Sequence, residues 1–310
     1  MRVGLVGFGD VAGKYADYLG RGFDPPDLLF ADSDPAVRAR LADAGRPAVD
    51  NLTGLLAQAP DAVMILTPPD THVALAIEAA AGGVAVLVEK PPALRVADLD
   101  RMESAEGRVR CIIPYRSMPV FGHAAAFARD GGRIDLRLEV NWPRHDSYFA
   151  KPWRRDLQRG GGPLWNTFFH HVDLAAELLR QGRDEPIEAI VHLLDAHRAD
   201  LDLHGPAGVA RLRLSTALTA SIERCEVRCD GRTLLAEGLR CSERISIGHD
   251  VLHESDRETV AGHFTRAALA SLRGGRAHEP HELRSTVALL ESVHAGSSRT
   301  ASPAQRSDRR

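Results

Sequence analysis

The first half of the chain alternates short apolar runs with stretches of helical periodicity. The runs contain no regular polar positions, which predicts strands buried on both faces. The apolar runs occupy residues 2–6, 28–31, 61–66 and 84–88, and the helical stretches include residues 13–19 and 73–81. Because strands that alternate with helices form parallel βαβ units, we expect residues 1–115 to form an α/β domain with a doubly wound parallel sheet.

The second half has a different pattern. Between Ile134 and Trp142 apolar and polar residues alternate strictly, which indicates a half-buried antiparallel strand. Further strands are predicted at residues 187–194, 209–214, 220–229, 233–236 and 244–247. We expect residues 116–297 to form an α+β domain with an open, mostly antiparallel sheet, covered by helices on one face. Residues 298–310 have no apolar period, which predicts a flexible tail.

The uncovered sheet face and the charge of the chain bear on its partners. Large apolar sheet faces are seldom left in water, so we expect this face to mediate a homodimer or homotetramer. The formal net charge of −3 gives no reason to expect nucleic acid or a membrane surface as a partner. No apolar run approaches the length of a membrane span, and no signal-like segment precedes the first strand. A cytoplasmic location is therefore expected.

The cysteines do not indicate a metal site. Cys225 and Cys229 lie four residues apart, but no second pair or histidine cluster at zinc spacing accompanies them. We expect no metal, and we expect buried thiols at all four positions: Cys111, Cys225, Cys229 and Cys241.

A glycine motif directly follows the first strand. Residues Gly7-Phe8-Gly9-Asp10-Val11-Ala12 have the GxGxxA pattern between a strand and a helix, which is its required position. Gly7 permits a tight turn, Gly9 lets the backbone approach a pyrophosphate, and Ala12 allows close helix packing. The free N–H groups at the helix start would bind the anion. The motif predicts a Rossmann domain that binds a dinucleotide.

The second strand leads to Asp32 and Ser33. An acidic side chain at this position in a dinucleotide fold accepts hydrogen bonds from the adenosine ribose hydroxyls. No arginine immediately follows Asp32 to neutralise a 2′-phosphate, so NAD is favoured over NADP, which stays open. The alternative for Asp32 and Asp34 is a purely structural role as the N-cap of a helix that begins at Pro35, and this alternative applies above all to Asp34.

The strand at residues 84–88 runs into Glu89-Lys90-Pro91-Pro92. It ends at the sheet edge where ligands bind in open α/β folds. Pro91 restricts its own backbone and that of the residue before it, so Lys90 is held on a stiff segment. A solvated surface lysine is the alternative interpretation.

The strand at residues 61–66 runs into Thr67-Pro68-Pro69-Asp70-Thr71-His72. We expect Thr67 and Pro68 to flank the cofactor, because they also lie at the carboxyl edge of the sheet. Glu89 and Lys90 are assigned to the same cofactor site. His72 is placed with it as well, near a helix start and in a structural rather than catalytic role.

Taken in order, the glycine motif, the Thr67–His72 segment and Glu89-Lys90-Pro91 resemble the Gfo/Idh/MocA family of oxidoreductases. The resemblance covers residues 1–180, including an aromatic-arginine segment and a tryptophan-arginine segment. It implies a reversible hydride transfer between a nicotinamide and a carbinol carbon of a small-molecule substrate, usually a sugar, cyclitol or nucleotide sugar. The residues of the two segments that are expected to contact substrate are Tyr115, Arg116, Trp153 and Arg154.

The family's second motif, D-x-G-x-H-x-x-D, corresponds to residues 166–173. His170 and Asp173 match it, whereas Asn166 replaces the first aspartate and Phe168 replaces the glycine. If a helix begins close to Asn166, then residues 166, 170, 173 and 177 lie on one face and His171 is turned aside.

The resemblance implies that Lys90 and His170 flank the reacting oxygen. Oxidation of an alcohol requires loss of the hydroxyl proton, and a histidine with a pKa near neutrality suits the role of general base. Lys90 would stabilise the developing alkoxide, and it is the alternative base, because it could relay the proton if desolvation lowers its own pKa. Asn166 does not exchange a proton at ordinary pH, but it can orient the substrate hydroxyl or His170. The expected catalytic residues are Lys90, His170 and Asn166, and a structural role for His170 is the alternative.

Two features leave the substrate open. Phe168 and Phe169 indicate either a pocket reshaped for an apolar or flat substrate, or packing. Arginines are concentrated before the second motif and favour an anionic substrate such as a nucleotide sugar, although pairing with Asp146 and Asp156 explains them equally well. These arginines are Arg116, Arg144, Arg154 and Arg155.

The leading function is an NAD(P)-dependent dehydrogenase or reductase of CH–OH groups. One alternative is an enzyme that retains its nicotinamide and catalyses a redox-neutral reaction. Another is a dinucleotide-binding regulator without turnover, which the changes at Asn166 and Phe168 make conceivable.

Overall fold

The computed structural model describes residues 1–21, 24–105, 108–238, 243–255, 270 and 278–300. These residues divide into two compact units. The first contains residues 1–117 and the segment 278–284. The second contains residues 118–255 and the helix residues that follow Arg284.

The first unit is built on a parallel sheet of six strands. In chain order they are β1 (Arg2–Val6), β2 (Asp27–Ala31), β3 (Ala48–Val49), β4 (Ala62–Ile65), β5 (Ala85–Glu89) and β6 (Val109–Ile112). Their spatial order is β3-β2-β1-β4-β5-β6, and all neighbours are parallel. The order reverses between β1 and β4, so the loops that follow these two strands border the crevice where such folds bind ligands. The predicted doubly wound α/β fold is confirmed.

The helices of the first unit begin at capping signals in the sequence. They are α1 (Asp10–Gly20), α2 (Pro35–Asp43), α3 (Leu52–Leu56), α4 (His72–Ala81) and α5 (Val96–Glu103). Asp34 caps α2, because its carboxylate accepts a hydrogen bond from the Ala36 amide at 2.8 Å, so the capping interpretation is confirmed. Helix α1 begins three residues before the predicted start, inside the glycine motif.

The second unit is built on a sheet of eight strands. They are β7 (Ile134–Asn141), β8 (Glu188–Leu194), β9 (Arg198–Gly205), β10 (Gly208–Ser215), β11 (Ile222–Cys229), β12 (Arg232–Glu237), β13 (Arg244–Ile247) and β14 (Asp250–Glu254). Their order is β14-β13-β12-β11-β7-β10-β9-β8, and only β7 and β10 are parallel neighbours among these described strands. The mostly antiparallel sheet is confirmed, with β9 and β14 as strands that the sequence pattern did not predict.

One face of this sheet is covered by helices and the other is charged. The described helices of the unit are α6 (Pro119–Arg129), α7 (Phe169–Arg180) and α8 (Arg284–Thr300), and both α6 and α7 contact the sheet. Leu136 and Leu138 of β7 are buried, whereas Arg137 and Glu139 between and beyond them are exposed. Arg211 of β10 is exposed as well and pairs with Asp202 of β9. The expectation of an apolar open face is therefore wrong, because the outward positions of the alternating strands carry charges.

The described cysteines are buried. Cys111, Cys225 and Cys229 are free thiols, as predicted, and Cys241 lies outside the described residues. Burial raises the pKa of Cys225 to about 12. Within the described part of the chain, no helix is long and apolar enough to cross a membrane. Helix α8 continues to Thr300, and residues 301–310 of the predicted tail lie outside the described residues.

Candidate functional site

The glycine turn after β1 is tightly packed against the loop after β4. Gly7 has a φ of +85°, and a Cβ at this position would lie 2.7 Å from Cγ2 of Thr67. Gly7 also donates a backbone hydrogen bond to Ala31 at the end of β2. Ala12 is fully buried in α1. A side chain larger than hydrogen at position 7 would push these loops apart, so the turn has the close packing that the motif predicts.

Asp32, which follows β2, is hydrogen-bonded to this turn. Its Oδ2 accepts a hydrogen bond from the Phe8 amide at 2.7 Å, and its Oδ1 accepts one from the Asp34 amide at 2.9 Å. Arg38 of α2 donates to the carbonyl oxygens of Asp32 and Ser33 at 2.8 and 2.9 Å. Arg38 was not predicted from the sequence, because it lies six residues after Asp32 and not directly behind it.

Glu89 at the end of β5 is bound by a side chain from the glycine-motif helix. The Tyr15 hydroxyl donates a hydrogen bond to Oε1 of Glu89 at 3.0 Å. Burial raises the pKa of Glu89, while the Lys90 ammonium and the Tyr15 hydroxyl act in the opposite direction. Burial and the Glu89 carboxylate raise the pKa of Tyr15. Lys90 follows at the strand end, and its peptide bond to Pro91 is cis. The tyrosine thus connects α1 with the Glu89-Lys90-Pro91 motif.

His72 contacts two of the predicted cofactor loops. Its Nε2 lies 2.8 Å from the Thr67 carbonyl oxygen, and its Nδ1 lies 2.8 Å from the Pro91 carbonyl oxygen. The side chain of Thr71 also bonds to Thr67. Only 1% of the His72 surface is exposed. The ring is therefore turned into the protein, and it connects the loop after β4 with the loop after β5.

In the second unit, Asn166 does not belong to the same helix as His170. Residues Pro163–Thr167 form a π-helical turn, closed by a hydrogen bond from the Phe168 amide to the Pro163 carbonyl, and α7 begins only at Phe169. The prediction of one helix face from residue 166 onwards is therefore wrong, because a wider turn interrupts the 3.6-residue period. The Asn166 amide donates to the Tyr148 hydroxyl at 2.8 Å.

His170 and Asp173 lie in the first turns of α7. His170 is 5% exposed and its ring contacts Phe169. Asp173 is fully buried and accepts a hydrogen bond from the Thr286 hydroxyl at 2.7 Å, which ties α7 to α8. His171 is buried and packs edge-on against Trp142.

The two phenylalanines of the second motif are core residues. Phe168 and Phe169 are both fully buried. Phe168 packs against Trp142, and Phe169 stacks on Trp165. Of the two explanations that the sequence left open, the structure supports packing.

The predicted arginines are used in different ways. Arg116, in the first unit, lies 3.5 Å from the Glu282 carboxylate and donates to its backbone carbonyl. Arg154 is 7% exposed, stacks on the Tyr148 ring at 3.9 Å from its centroid, and donates to the Tyr148 carbonyl. Arg144 lies 4.8 Å from the same centroid. Two guanidinium groups therefore contact Tyr148, the residue whose hydroxyl accepts a hydrogen bond from the Asn166 amide. No spacing rule in the sequence predicted a role for this tyrosine.

Other predicted substrate residues are partly enclosed. Tyr115 is 3% exposed, whereas Trp153 retains some exposed surface. A Cβ at Gly161 would collide with the carbonyl oxygen of Trp153. The glycine run before the second motif therefore lets the chain pass directly over the Trp153-Arg154 segment.

Residues 1–115 match a family model described as an oxidoreductase family with an NAD-binding Rossmann fold, GFO_IDH_MocA. The match covers the first 115 of the 310 residues. The predicted resemblance and the NAD-binding fold are confirmed by this match. The narrow turn at Gly7 and the hydrogen bonds of Asp32 agree with it, because a dinucleotide requires a side-chain-free turn beside an acidic strand end.

The curated relatives match this chain over part of their length. Inositol 2-dehydrogenase of Rhizobium meliloti is 29% identical over 195 residues, which is 60% of this chain and 56% of that protein. The 1-carboxy-3-chloro-3,4-dihydroxycyclohexa-1,5-diene dehydrogenase of Comamonas testosteroni is 28% identical over 207 residues, 64% of this chain and 52% of that protein. Across the first three relatives, the match spans 31% to 56% of the relative.

A solved structure shows the same fold over nearly the whole chain. The crystal structure of the WlbA dehydrogenase from Bordetella pertussis in complex with NADH and UDP-GlcNAcA has a TM-score of 0.79 and is 22% identical. The likeness covers 98% of both chains. At this identity it establishes the fold and no more.

Proposed function

We propose that this protein is a nicotinamide-dependent oxidoreductase that interconverts an alcohol and a ketone on a sugar-like small molecule. The observation that carries the proposal lies within the first unit. The glycine turn, Thr67 and Lys90 follow the neighbouring parallel strands β1, β4 and β5, so all three lie at the same edge of the sheet. A cation at this edge of an NAD-binding fold suits a reaction in which negative charge develops on oxygen.

The residues have distinct roles in this proposal. The bound nicotinamide supplies or accepts the hydride. The glycine turn holds the pyrophosphate, while Asp32 and Ser33 contact the adenosine ribose. Lys90 stabilises the alkoxide form of the substrate oxygen, and His170 accepts the hydroxyl proton during oxidation and returns it during reduction. Asn166 donates or accepts a hydrogen bond and does not transfer the proton.

An anionic substrate is the second part of the proposal. Arg144 and Arg154 both contact Tyr148, whose hydroxyl bonds to Asn166, so the segment before the second motif concentrates positive charge beside a proposed catalytic residue. Guanidinium groups are well suited to carboxylates and phosphates. The solved WlbA neighbour was crystallised with UDP-GlcNAcA, a nucleotide sugar that carries negative charge. A uronate or nucleotide-linked sugar therefore fits the proposal better than a neutral polyol.

The test combines cofactor binding with turnover. NADH or NADPH is added to the purified protein and its fluorescence enhancement is measured. Absorbance at the nicotinamide band is then followed with paired neutral and anionic keto-sugars and polyols. Lys90→Met is expected to keep dinucleotide binding and to lower turnover by roughly 10²-fold or more, because an oxyanion stabiliser is lost. Lys14→Met, a change of an exposed lysine on α1, is the matched control.

Two outcomes would contradict the proposal. One outcome is tight dinucleotide binding without turnover on any substrate, with Lys90→Met indistinguishable from the parent in every assay. It would favour the alternative of a dinucleotide-binding regulator. Equal turnover of neutral and anionic substrates, unchanged in Arg154→Gln, would contradict only the part that concerns substrate charge.

A further inference from the structure

The His72 ring occupies an unusual position between two carbonyl groups of the first unit. Its two nitrogens each lie 2.8 Å from a carbonyl oxygen, one on Thr67 and the other on Pro91. Thr67 contacts the glycine turn, and Pro91 directly follows Lys90. One side chain therefore joins two loops to which the proposed function assigns cofactor binding and oxyanion stabilisation.

The chemistry of these partners depends on the charge of the ring. A carbonyl oxygen only accepts hydrogen bonds, whereas a neutral imidazole has a single N–H and a lone pair on its other nitrogen. Only the imidazolium ion donates to both carbonyls. In the neutral ring, one nitrogen lone pair would face a carbonyl oxygen at 2.8 Å, so one of the two contacts would be repulsive.

Charges around the ring act in both directions. Burial is the strongest influence and lowers the pKa of His72 below its ordinary value of 6.5, while its bonds to Thr67 and Pro91 and the nearby Asp70 carboxylate oppose this shift. The Lys90 ammonium lowers it again. Asp70 belongs to the turn before α4, and Lys90 follows β5. The ring and the Lys90 ammonium are therefore electrostatically coupled as well as linked through the backbone.

We propose that His72 is a positioning residue that holds Lys90 in place through the Pro91 carbonyl, and that loss of one ring proton releases one of its two loops. The doubly protonated ring ties the loop after β4 to the loop after β5. The neutral ring retains only one of these bonds, and loss of either bond uncouples the two loops. The Lys90 side chain, which follows β5, is then no longer fixed relative to the loop after β4, so its position changes with the protonation of His72. The hydrogen bonds do not depend on the proposed function, whereas their importance for turnover does.

The chain offers a direct readout of Lys90, because it contains only three lysines: Lys14, Lys90 and Lys151. Trace acetylation with isotopically labelled acetic anhydride, followed by mass spectrometry, gives the reactivity of each lysine from about pH 5 to about pH 9. The ratio of Lys90 to Lys14 is expected to change about threefold or more at the pH where His72 titrates, in addition to the lysine's own titration. The ratio of Lys151 to Lys14 should lack this step.

Substitution and spectroscopy identify the responsible group. His72→Gln retains at most one of the two hydrogen bonds without titrating, so the extra step in Lys90 reactivity should disappear. His281→Gln is the matched control, because His281 is an exposed histidine of the same unit that pairs with Glu103. In the unsubstituted protein, ¹⁵N NMR should show protons on both His72 nitrogens at low pH and loss of one proton at the midpoint of the Lys90 step.

The proposal fails if the ring carries a single proton throughout the pH range, or if His72→Gln keeps the step. The NMR measurement decides the matter even if His72→Gln does not fold. None of these measurements requires a substrate or turnover. A protein without catalytic activity that shows the linked titrations would contradict the proposed function and leave this inference intact.

Discussion

Asp32 combines a structural hydrogen bond with a proposed role in binding. Its carboxylate accepts the Phe8 amide and so shapes the turn that would hold a pyrophosphate. Beside it, Arg38 is bonded to the backbone of Asp32 and Ser33. A 2′-phosphate at this point would be repelled by the carboxylate and attracted by the guanidinium. We therefore expect these two side chains to decide together between NAD and NADP.

This balance can be shifted by one substitution. Asp32→Ser is expected to change the ratio of NADPH to NADH affinity by about tenfold in favour of NADPH, because the repulsive charge is removed and Arg38 remains. The double variant Asp32→Ser/Arg38→Ala should lose most of this gain. Dissociation constants are measured by nicotinamide fluorescence, with Asp34→Ser as the control for a change at the cap of α2. An unchanged ratio in Asp32→Ser would show that neither side chain faces the ribose.

Tyr15 makes a second testable contribution at this scale. Its hydroxyl stabilises the ionised form of Glu89, whose pKa is raised by burial above the ordinary value of 4.5. The folded protein holds the Glu89 proton more tightly than the unfolded chain does. The free energy of unfolding therefore falls as the pH rises above 4.5, the ordinary pKa of a glutamate. Removal of the hydroxyl should make this fall steeper.

Tyr15→Phe is expected to lower the free energy of unfolding by about 1–2 kcal/mol at about pH 8, and by less at about pH 5, because the bond is strongest to the charged carboxylate. Denaturant unfolding of the full chain at both pH values measures the difference. Tyr18→Phe, on the same helix, is the control. Equal losses for Tyr15→Phe at the two pH values would show that the hydroxyl does not bond to the carboxylate.

At the scale of residues, the sequence predicted the local contributions and not the distant ones. The narrow turn at Gly7 and the cap at Asp34 follow from spacing, because each depends on neighbours in the chain. The partnership of Tyr15 with Glu89 joins residues 74 positions apart, and it exists only because α1 and β5 meet in the fold. No periodicity contains that information.

At the scale of elements, the main difference between expectation and structure is the turn before α7. Helical periodicity assumes 3.6 residues per turn, but the π-helical turn at Pro163–Thr167 inserts an extra residue. Strand β9 shows the opposite case. Its buried residues Ala199, Leu201 and Leu203 have the required period of two, but charged residues separate them, so the strand contains no apolar run.

The start of α6 depends on a carboxylate from a distant part of the second unit. Glu243 is fully buried, accepts the Val120 amide at 2.9 Å, and lies 3.7 Å from His253. Burial raises the pKa of Glu243 to about 7, Glu223 adds to this effect, and the Val120 amide opposes it. The folded protein therefore keeps a proton that the unfolded chain releases above about pH 4.5. Stability should fall as the pH rises from there to about 7.

Glu243→Gln should remove this dependence, since the amide oxygen still accepts from Val120 and carries no charge. We expect the free energy of unfolding of the variant to exceed that of the parent protein by roughly 1–2 kcal/mol at about pH 8, and to differ little from it at about pH 5. Denaturant titrations at the two pH values provide the measurement, and Glu237→Gln is the exposed control. A destabilised variant at pH 8 would mean that the charge of Glu243 favours the fold.

At the scale of the molecule, the open face of the eight-stranded sheet changes the expectation for assembly. Its outward side chains include paired charges such as Arg211 with Asp202, while exposed apolar residues occur on the edge strands β8 and β14. The homodimer or homotetramer stays a prediction. If the face mediates it, the contacts must be largely electrostatic.

This prediction separates the two kinds of surface. An assembly through the charged face should dissociate when the salt concentration is raised from about 0.05 M to about 1 M, because salt screens the ion pairs between the subunits. Arg213→Glu should have the same effect. Assembly through the edge of β8 should instead resist salt and respond to Ile190→Asp. Light scattering after size-exclusion chromatography measures the mass, and a monomer under all conditions would contradict the oligomer prediction.

The three buried thiols have a practical consequence for both units. Cys111 lies in the first unit, whereas Cys225 and Cys229 lie in the second. A maleimide can reach such a group only when the surrounding core opens. In a Cys241→Ser background, the alkylation rate at each cysteine would thus measure how fast the unit that contains it opens. Comparison of the rates would show which unit unfolds first.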